Sequence, residues 1–384
     1  MTANQPSRRH EGIARAPLKP RPDNVTSPAR TPWGGRHIYG TLKAGLPGIP
    51  PPGQAPIVGE SFEISDDPAL PSRFLVQSSG RLREVTLSEL APSEMREVIG
   101  ADIADETGGR IPLLIKLIDS ADNLSVQVHP PRDDPRLATG ESGKSEAWVV
   151  IDCAPGAGLY LGLAEGVTRA KLAAMARSGA DLRPLLNFVP ITPGQTFKVP
   201  PGTVHAIGRG CTLFEIQRFS PPSSAATYRL WDWNRLFDER GRPSPIGRPR
   251  KLHLDHALEV IDFAAPRGAA ALAQLEATPR TLRVLGESHE LALIDNLDGL
   301  ELRRLHLAPG SPLTLETSGR FALLTCLSGR LTLSHGDGEI SPLAASCFRM
   351  GESLLLPAAL ESVTLSANTP SDLLLGRLTA GTTL

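Results

Sequence analysis

Between residues 111 and 217 apolar and polar side chains alternate in short runs broken by Gly, Pro, Asn and Asp. The alternation predicts strands over 111–119, 123–129, 145–152, 159–163, 195–199 and 212–217. Residues 57–64 alternate in the same way. Helical spacing replaces this pattern in two places. At 167–177, Thr168 is placed to cap a run rich in Ala, Leu and Met. At 253–263, Leu254, Ala257, Leu258 and Ile261 recur on one helical face. Residues 264–280 read as a linker, after which short strands return over 281–384.

Many short strands at close spacing predict a mainly β fold, a β-sandwich or jelly roll. The pattern divides it into two β-domains, 31–263 and 281–384, with a few helices. Residues 1–30 are rich in Pro, Arg, Asn and Ser, lack hydrophobic periodicity and read as a disordered basic tail. The two β-rich parts share a G-x5-P segment, Gly194 to Pro200 and Gly351 to Pro357. Five residues past the proline stand His205 in the first and Ser362 in the second.

Charge narrows the function classes. The chain has 384 residues with 40 basic and 41 acidic side chains. That balance supplies no field for nucleic acid or an anionic membrane, so neither is expected as a partner. The 36 glycines and 36 prolines fit a turn-rich β protein. Four cysteines without a CxxC pair are expected to be free thiols in a reducing compartment. No apolar run reaches membrane-spanning length and no signal-peptide core is present, so a cytoplasmic protein is expected.

Candidate chemistry begins in the segment NLSVQVH, residues 123–129. Side chains on a strand alternate between faces, so Ser125, Gln127 and His129 share one and Leu124, Val126 and Val128 the other. A polar trio of this kind faces either solvent or a site. Lys144 and Glu146 share a face in GKSEAWVV, and His205 follows a Pro-Gly turn. Two imidazoles, a carboxylate and an amide oxygen suit zinc or another borderline divalent metal. The absence of thiolates points to a catalytic rather than a structural ion. Read alone, a strand histidine such as His129 or His205 is more often a hydrogen-bonded core or surface residue than a ligand, and Lys144–Glu146 reads as an ordinary surface pair.

Several segments, taken in order, resemble the signatures of type I phosphomannose isomerases. They are NLSVQVHP (123–130), GKSE (143–146), GTVHAI (202–207), and EIQ (215–217) with TYRLWDWNR (227–235). The similarity extends to TPWGG (31–35), VGESFEI (58–64) and KLHLDHALEVIDF (251–263). The resemblance implies a cupin metalloenzyme interconverting mannose 6-phosphate and fructose 6-phosphate. One zinc ion per chain would be held by Gln127, His129, Glu146 and His205. Arg229 would stabilise the oxyanion of an enediol-type state, and Glu215 would relay the proton, with a water on the metal as the alternative base. Ser125, Lys144 and Arg235, with Lys116 behind them, are candidates for the phosphate, and Trp33 for the sugar pocket.

The chain departs from the family pattern in two places. HPPRDD (129–134) stands where HPD is usual. RFSPPSSAAT (218–227) replaces a short segment with an acid. The second departure keeps an alternative in view, a metal-containing cupin that binds a sugar phosphate without turnover. An oxygen-using cupin dioxygenase is disfavoured by the glutamine ligand.

Overall fold

A computed structural model describes residues 13–78, 81–221, 224–335 and 347–379. Seven strands form the repeated part of the N-terminal β-unit. They are β1 (Leu113–Ser120), β2 (Val126–Val128), β3 (Lys144–Cys153), β4 (Gly158–Leu163), β5 (Thr196–Val199), β6 (His205–Ile207) and β7 (Cys211–Phe219). Seven more take the same places in the C-terminal unit. They are β8 (Leu300–Leu307), β9 (Leu313–Glu316), β10 (Ala322–Ser328), β11 (Arg330–His335), β12 (Ser353–Leu356), β13 (Ser362–Ala367) and β14 (Ser371–Leu378). Each predicted strand between 111 and 217 is present with its ends shifted by a few residues.

The two units repeat one topology. The larger sheet of the first contains the order β1-β7-β3-β5, and that of the second β8-β14-β10-β12. The smaller sheets contain the orders β2-β6-β4 and β9-β13-β11. Each unit is therefore a jelly roll of the cupin kind, and each of the strands β1–β7 has its counterpart, in the same order, among β8–β14. The shared G-x5-P segment marks equivalent positions. Gly194 and Gly351 both have positive φ, +94° and +81°, and the strand starts two residues later in each.

Register extends the match to single residues. His205 lies opposite Gln127, and Ser362 opposite Glu316. Glu146 lies opposite Val199, and Ala322 opposite Leu356. The second unit thus carries Glu316, Ala322 and Ser362 where the first carries Gln127, Glu146 and His205. Its interior is filled by leucines, among them Leu305, Leu313, Leu324, Leu331, Leu354 and Leu373. Each such side chain contributes about 1.5–3 kcal/mol by leaving water, so this unit is held by hydrocarbon where the first keeps polar groups.

The large sheets of the two units share a core. Ile115, Ala147, Phe214 and Ile216 pack with Leu302, Leu323, Leu374 and Leu378. The approach is close enough that a Cβ on Gly376 would stand 2.3 Å from Ile216 Cδ1.

Two expectations about the connecting segments need correction. Residues 1–12 lie outside the described residues, but from Ile13 on the supposed tail is built into the fold. Ile13, Ala14 and Leu18 are buried, and Leu18 exchanges both backbone hydrogen bonds with Leu355 on the outer strand β12. The segment thereby covers a sheet edge. Its polar composition hid this because the bonds come from its backbone. Likewise 264–280 is no free linker. It forms a helix, Gly268–Leu275, and a short strand, Glu276–Ala277, that pairs with β5. Alanine, which helped it read as linker, is also the strongest helix former. The two predicted helices form, over Arg169–Ser178 and Leu254–Val260, and Thr168 caps the first by accepting from the Lys171 amide at 3.2 Å.

Candidate metal centre

Strand alternation turns Ser125, Gln127 and His129 toward the interior of the N-terminal jelly roll. Ser125 and His129 are buried and Gln127 is half-buried. The β2–β6 register sets His205 beside Gln127, and β3 brings Glu146 from the facing sheet. Closure of the roll thus brings together Gln127 and His205, 78 positions apart in the chain.

The histidine, glutamate and histidine donor atoms all lie within 4.8 Å of one another. His129 Nε2 stands 3.2 Å from Glu146 Oε1, and His205 Nε2 stands 3.9 Å from Glu146 Oε2. Each imidazole has its other nitrogen on a carbonyl, His129 Nδ1 on Ala226 O at 3.1 Å and His205 Nδ1 on Thr203 O at 2.8 Å. A carbonyl only accepts, so both Nδ1 atoms carry the proton and both Nε2 atoms present lone pairs to Glu146. Burial, reinforced for His129 by the Lys144 charge, keeps the rings neutral. It pushes the His129 pKa down to about 3 and lowers that of His205.

His129 Nε2 and Glu146 Oε2 consequently lack a hydrogen-bond partner among the described residues, although both residues are buried. Lone pairs facing one another inside a protein are costly unless a cation lies between them. The donor set therefore fits a divalent metal. Gln127 stands beside it, with its amide nitrogen 3.3 Å from His205 Nε2. Exchanging the amide oxygen and nitrogen leaves the same shape and presents the oxygen to the cluster. Ser125 Oγ, 3.3 Å from the amide oxygen, can partner either end.

Glu146 is ionised. Burial opposes this, but the charge of Lys144, with Nζ at 2.8 Å, holds its pKa well below the usual carboxylate value. Gln217 donates to Glu146 at 3.0 Å and to Glu215 at 2.7 Å. Glu215 also accepts from Trp148 Nε1 at 2.9 Å. Burial and the charge of Glu146 push the Glu215 pKa up to about 7. Lys116 Nζ lies 3.3 Å from Glu60 and 3.6 Å from Glu215. Burial opposes its charge, but Glu60, Glu215 and Glu146 outweigh burial and push its pKa up to about 12.

These groups open into a cavity of about 400 Å³. Trp33, Ser125, Gln127, Lys144, Glu146, His205, Glu215 and Arg229 all line it, while His129 sits behind. Arg229 is held by Ser125 Oγ at 3.1 Å and Lys251 O at 2.8 Å. Arg235 is not brought to the lining. It is engaged with Asp122 at 2.9 Å and Asp232 at 2.6 Å, so its charge is committed outside the site.

Other lining cations were missed by sequence reasoning. Arg250 lies 2.7 Å from Asp232, and Arg30 stacks over Phe62 with 5.5 Å to the ring centroid. Arg30 belongs to the segment read as tail, and no local pattern marks it. Gln217 carried a signal, because it stands two residues from Glu215 and so shares its face.

The divergent segment 218–227 also has a structural part here. Its Ala226 supplies the carbonyl for His129, and the Ala226 amide bonds to Ser142 O at 2.7 Å. Next in the chain, Gly143 sits under the two prolines that follow His129. A Cβ on it would stand 2.1 Å from Pro130 O and 2.0 Å from Pro131 O. Gly143→Ala is therefore expected to destabilise the protein by about 2 kcal/mol and to lower metal content. Thermal melting and metal analysis of the purified variant check this.

A family profile described as the catalytic domain of type I phosphomannose isomerase matches residues 48–145. The chain is 30% identical over 339 residues to mannose-6-phosphate isomerase of Streptococcus mutans, covering 86% of this chain and 90% of that protein. It is 38% identical over 188 residues to mannose-6-phosphate isomerase ManA of Bacillus subtilis, 49% of this chain and 54% of that one. The crystal structure of a Bacillus subtilis mannose 6-phosphate isomerase superposes with a TM-score of 0.73 at 24% identity, over 94% of this chain and 99% of that chain. A single-residue variant of phosphomannose isomerase from Salmonella typhimurium shares the fold, with a TM-score of 0.66 at 17% identity over 94% and 99% of the two chains. With a relative matched along nearly its whole length and the donor set in place, the chain belongs to the type I phosphomannose isomerase family.

Proposed function

We propose that the protein interconverts mannose 6-phosphate and fructose 6-phosphate at this cavity, using one zinc ion held by Gln127, His129, Glu146 and His205. The observation that carries the metal assignment is the pair of imidazole lone pairs facing the ionised Glu146 with no proton between them. A divalent ion bound there would supply Lewis-acid stabilisation of negative charge on the sugar oxygens.

The chain's own groups serve the remaining needs of an aldose–ketose isomerisation. A proton must leave one sugar carbon and reach its neighbour through an enediol-type state. Glu215, with a pKa near neutrality, suits giving and taking that proton. Trp148 and Gln217 hold its carboxyl in place. Arg229 offers a fixed positive charge to the oxygen that becomes anionic. Trp33 supplies an apolar wall for the sugar, and Ser125 anchors Arg229 and the Gln127 amide. For the phosphate, Arg30 and Arg250 replace Arg235 as the cations at the lining. Lys144, bonded to Glu146, belongs to the metal end of the cavity. Among the described residues no helix is long and apolar enough to cross a membrane.

A coupled assay on mannose 6-phosphate tests the reading. Turnover is expected to stop with a chelator and to return with added zinc. Turnover indifferent to the chelator would discard the metal role. Bound metal and sugar phosphate without isomerisation would favour the binding-protein alternative.

A further inference from the structure

The back of β3 connects the metal end of the cavity to the C-terminal unit. Lys144 and Glu146 face the cavity, so Ser145 between them faces the opposite side of the sheet. There Ser145 Oγ donates to Asp298 Oδ2 at 3.2 Å. Asp298 comes from the C-terminal unit, at the turn between strand Ser288–Leu297 and β8. The same carboxylate oxygen takes Arg132 Nε at 2.8 Å. Arg132 stands three residues beyond His129, and its carbonyl accepts the amide of Gly143 at 3.3 Å. Asp298 thus grips both ends of the loop that joins His129 to Glu146.

Two further facts mark this contact as built. Asp298 has φ +54°, a left-handed conformation that costs a non-glycine residue energy, in a turn closed by Gly299 donating to Asn296 Oδ1 at 2.8 Å. Arg218, opposite Ser145 in the ladder, is fully buried, and its Nε and Nη2 lack hydrogen-bond partners among the described residues. Two guanidiniums, Arg132 and Arg218, therefore stand behind the metal-bearing strand. Asp298 is the acid bonded to Arg132.

The geometry points to Asp298 as a positioning residue of the C-terminal unit that holds the ligand-bearing loop of the N-terminal unit in metal-binding shape. The inference rests on the metal assignment above. Without the carboxylate, Arg132 loses its charged partner and Ser145 its acceptor, so His129 and Glu146 are less firmly held relative to each other. The expected signature is weaker metal binding, beyond any loss of stability.

The test uses the full chain, stripped of metal and titrated with zinc against a competing chromophoric chelator. Asp298→Asn keeps the size and tolerates the turn. It is expected to weaken zinc binding about 10-fold, the lower end for groups that orient metal ligands. Arg132→Gln should weaken it similarly, and the double variant should cost less than the product of the singles, because both remove one pair. Should Asp298→Asn fail to fold, Arg132→Gln carries the measurement. As a control, Leu365→Ala in the C-terminal core should lower the melting temperature and leave zinc affinity within about twofold. Wild-type zinc affinity in Asp298→Asn, or single effects that multiply in the double variant, would overturn the role of Asp298. A parent protein that binds no zinc, or Glu146→Gln binding it as tightly as the parent, would instead bring down the metal assignment itself.

Discussion

His205→Ala is expected to strip the protein of zinc and lower kcat/KM on mannose 6-phosphate by at least about 10³-fold, equivalent to the several kcal/mol that a Lewis-acid metal supplies. The ring is buried and fixed from two sides. Thr203 O holds Nδ1 at 2.8 Å, and the His129 and Trp148 rings lie at centroid distances of 4.7 Å and 5.4 Å. Alanine removes the only imidazole lone pair presented from β6. It also leaves Glu146 Oε2 and the Gln127 amide without their neighbour. The effect should be local, because most of the core lies elsewhere, in the shared sheet interface and the leucine interior of the second unit. Metal analysis, far-ultraviolet circular dichroism and the coupled assay together check this. A folded variant with parental turnover would refute the proposed site.

The second large effect separates chemistry from metal binding. Arg229→Ala should lower kcat about 10²–10³-fold, the usual cost of losing one preorganised group aimed at developing charge. Zinc content should stay unchanged. Arg229 lies on the edge strand Tyr228–Trp231, which pairs with β2 so that Arg229 is opposite Gln127. Ser125 Oγ and Lys251 O fix its Nε and Nη1, so Nη2 is the nitrogen available to the substrate. Because a planar fork makes those anchors, Arg229→Lys should restore little of the activity. Steady-state kinetics with metal analysis on both variants provides the check, and a kcat within twofold of the parent in Arg229→Ala would sink the assignment.

Much of this molecule is written locally in the chain. A strand's period of two is a property of adjacent residues. The shared face of Ser125, Gln127 and His129 and that of Lys144 and Glu146 could therefore be read before any tertiary contact was known. The strands from 111 to 217, the Thr168 cap and the two helices follow from the same short-range rules. The paired G-x5-P segments are likewise local, and the strand order places them at equivalent points of the two units.

Tertiary structure decided what depends on partners far away in the chain. Arg235 and Arg250 look alike in sequence. Asp122 and Asp232 draw the first away from the lining, whereas the second reaches it while still bonded to Asp232. Arg30 enters the cavity because the backbone of its segment completes sheet edges, a role that side-chain composition does not record. Asp298 meets Arg132 and Ser145 only because the two large sheets pack together. Side-chain direction along one strand is set by the covalent chain and its pleat. Which acid meets which base is set by register and sheet packing, whose free energies are spread over the whole fold.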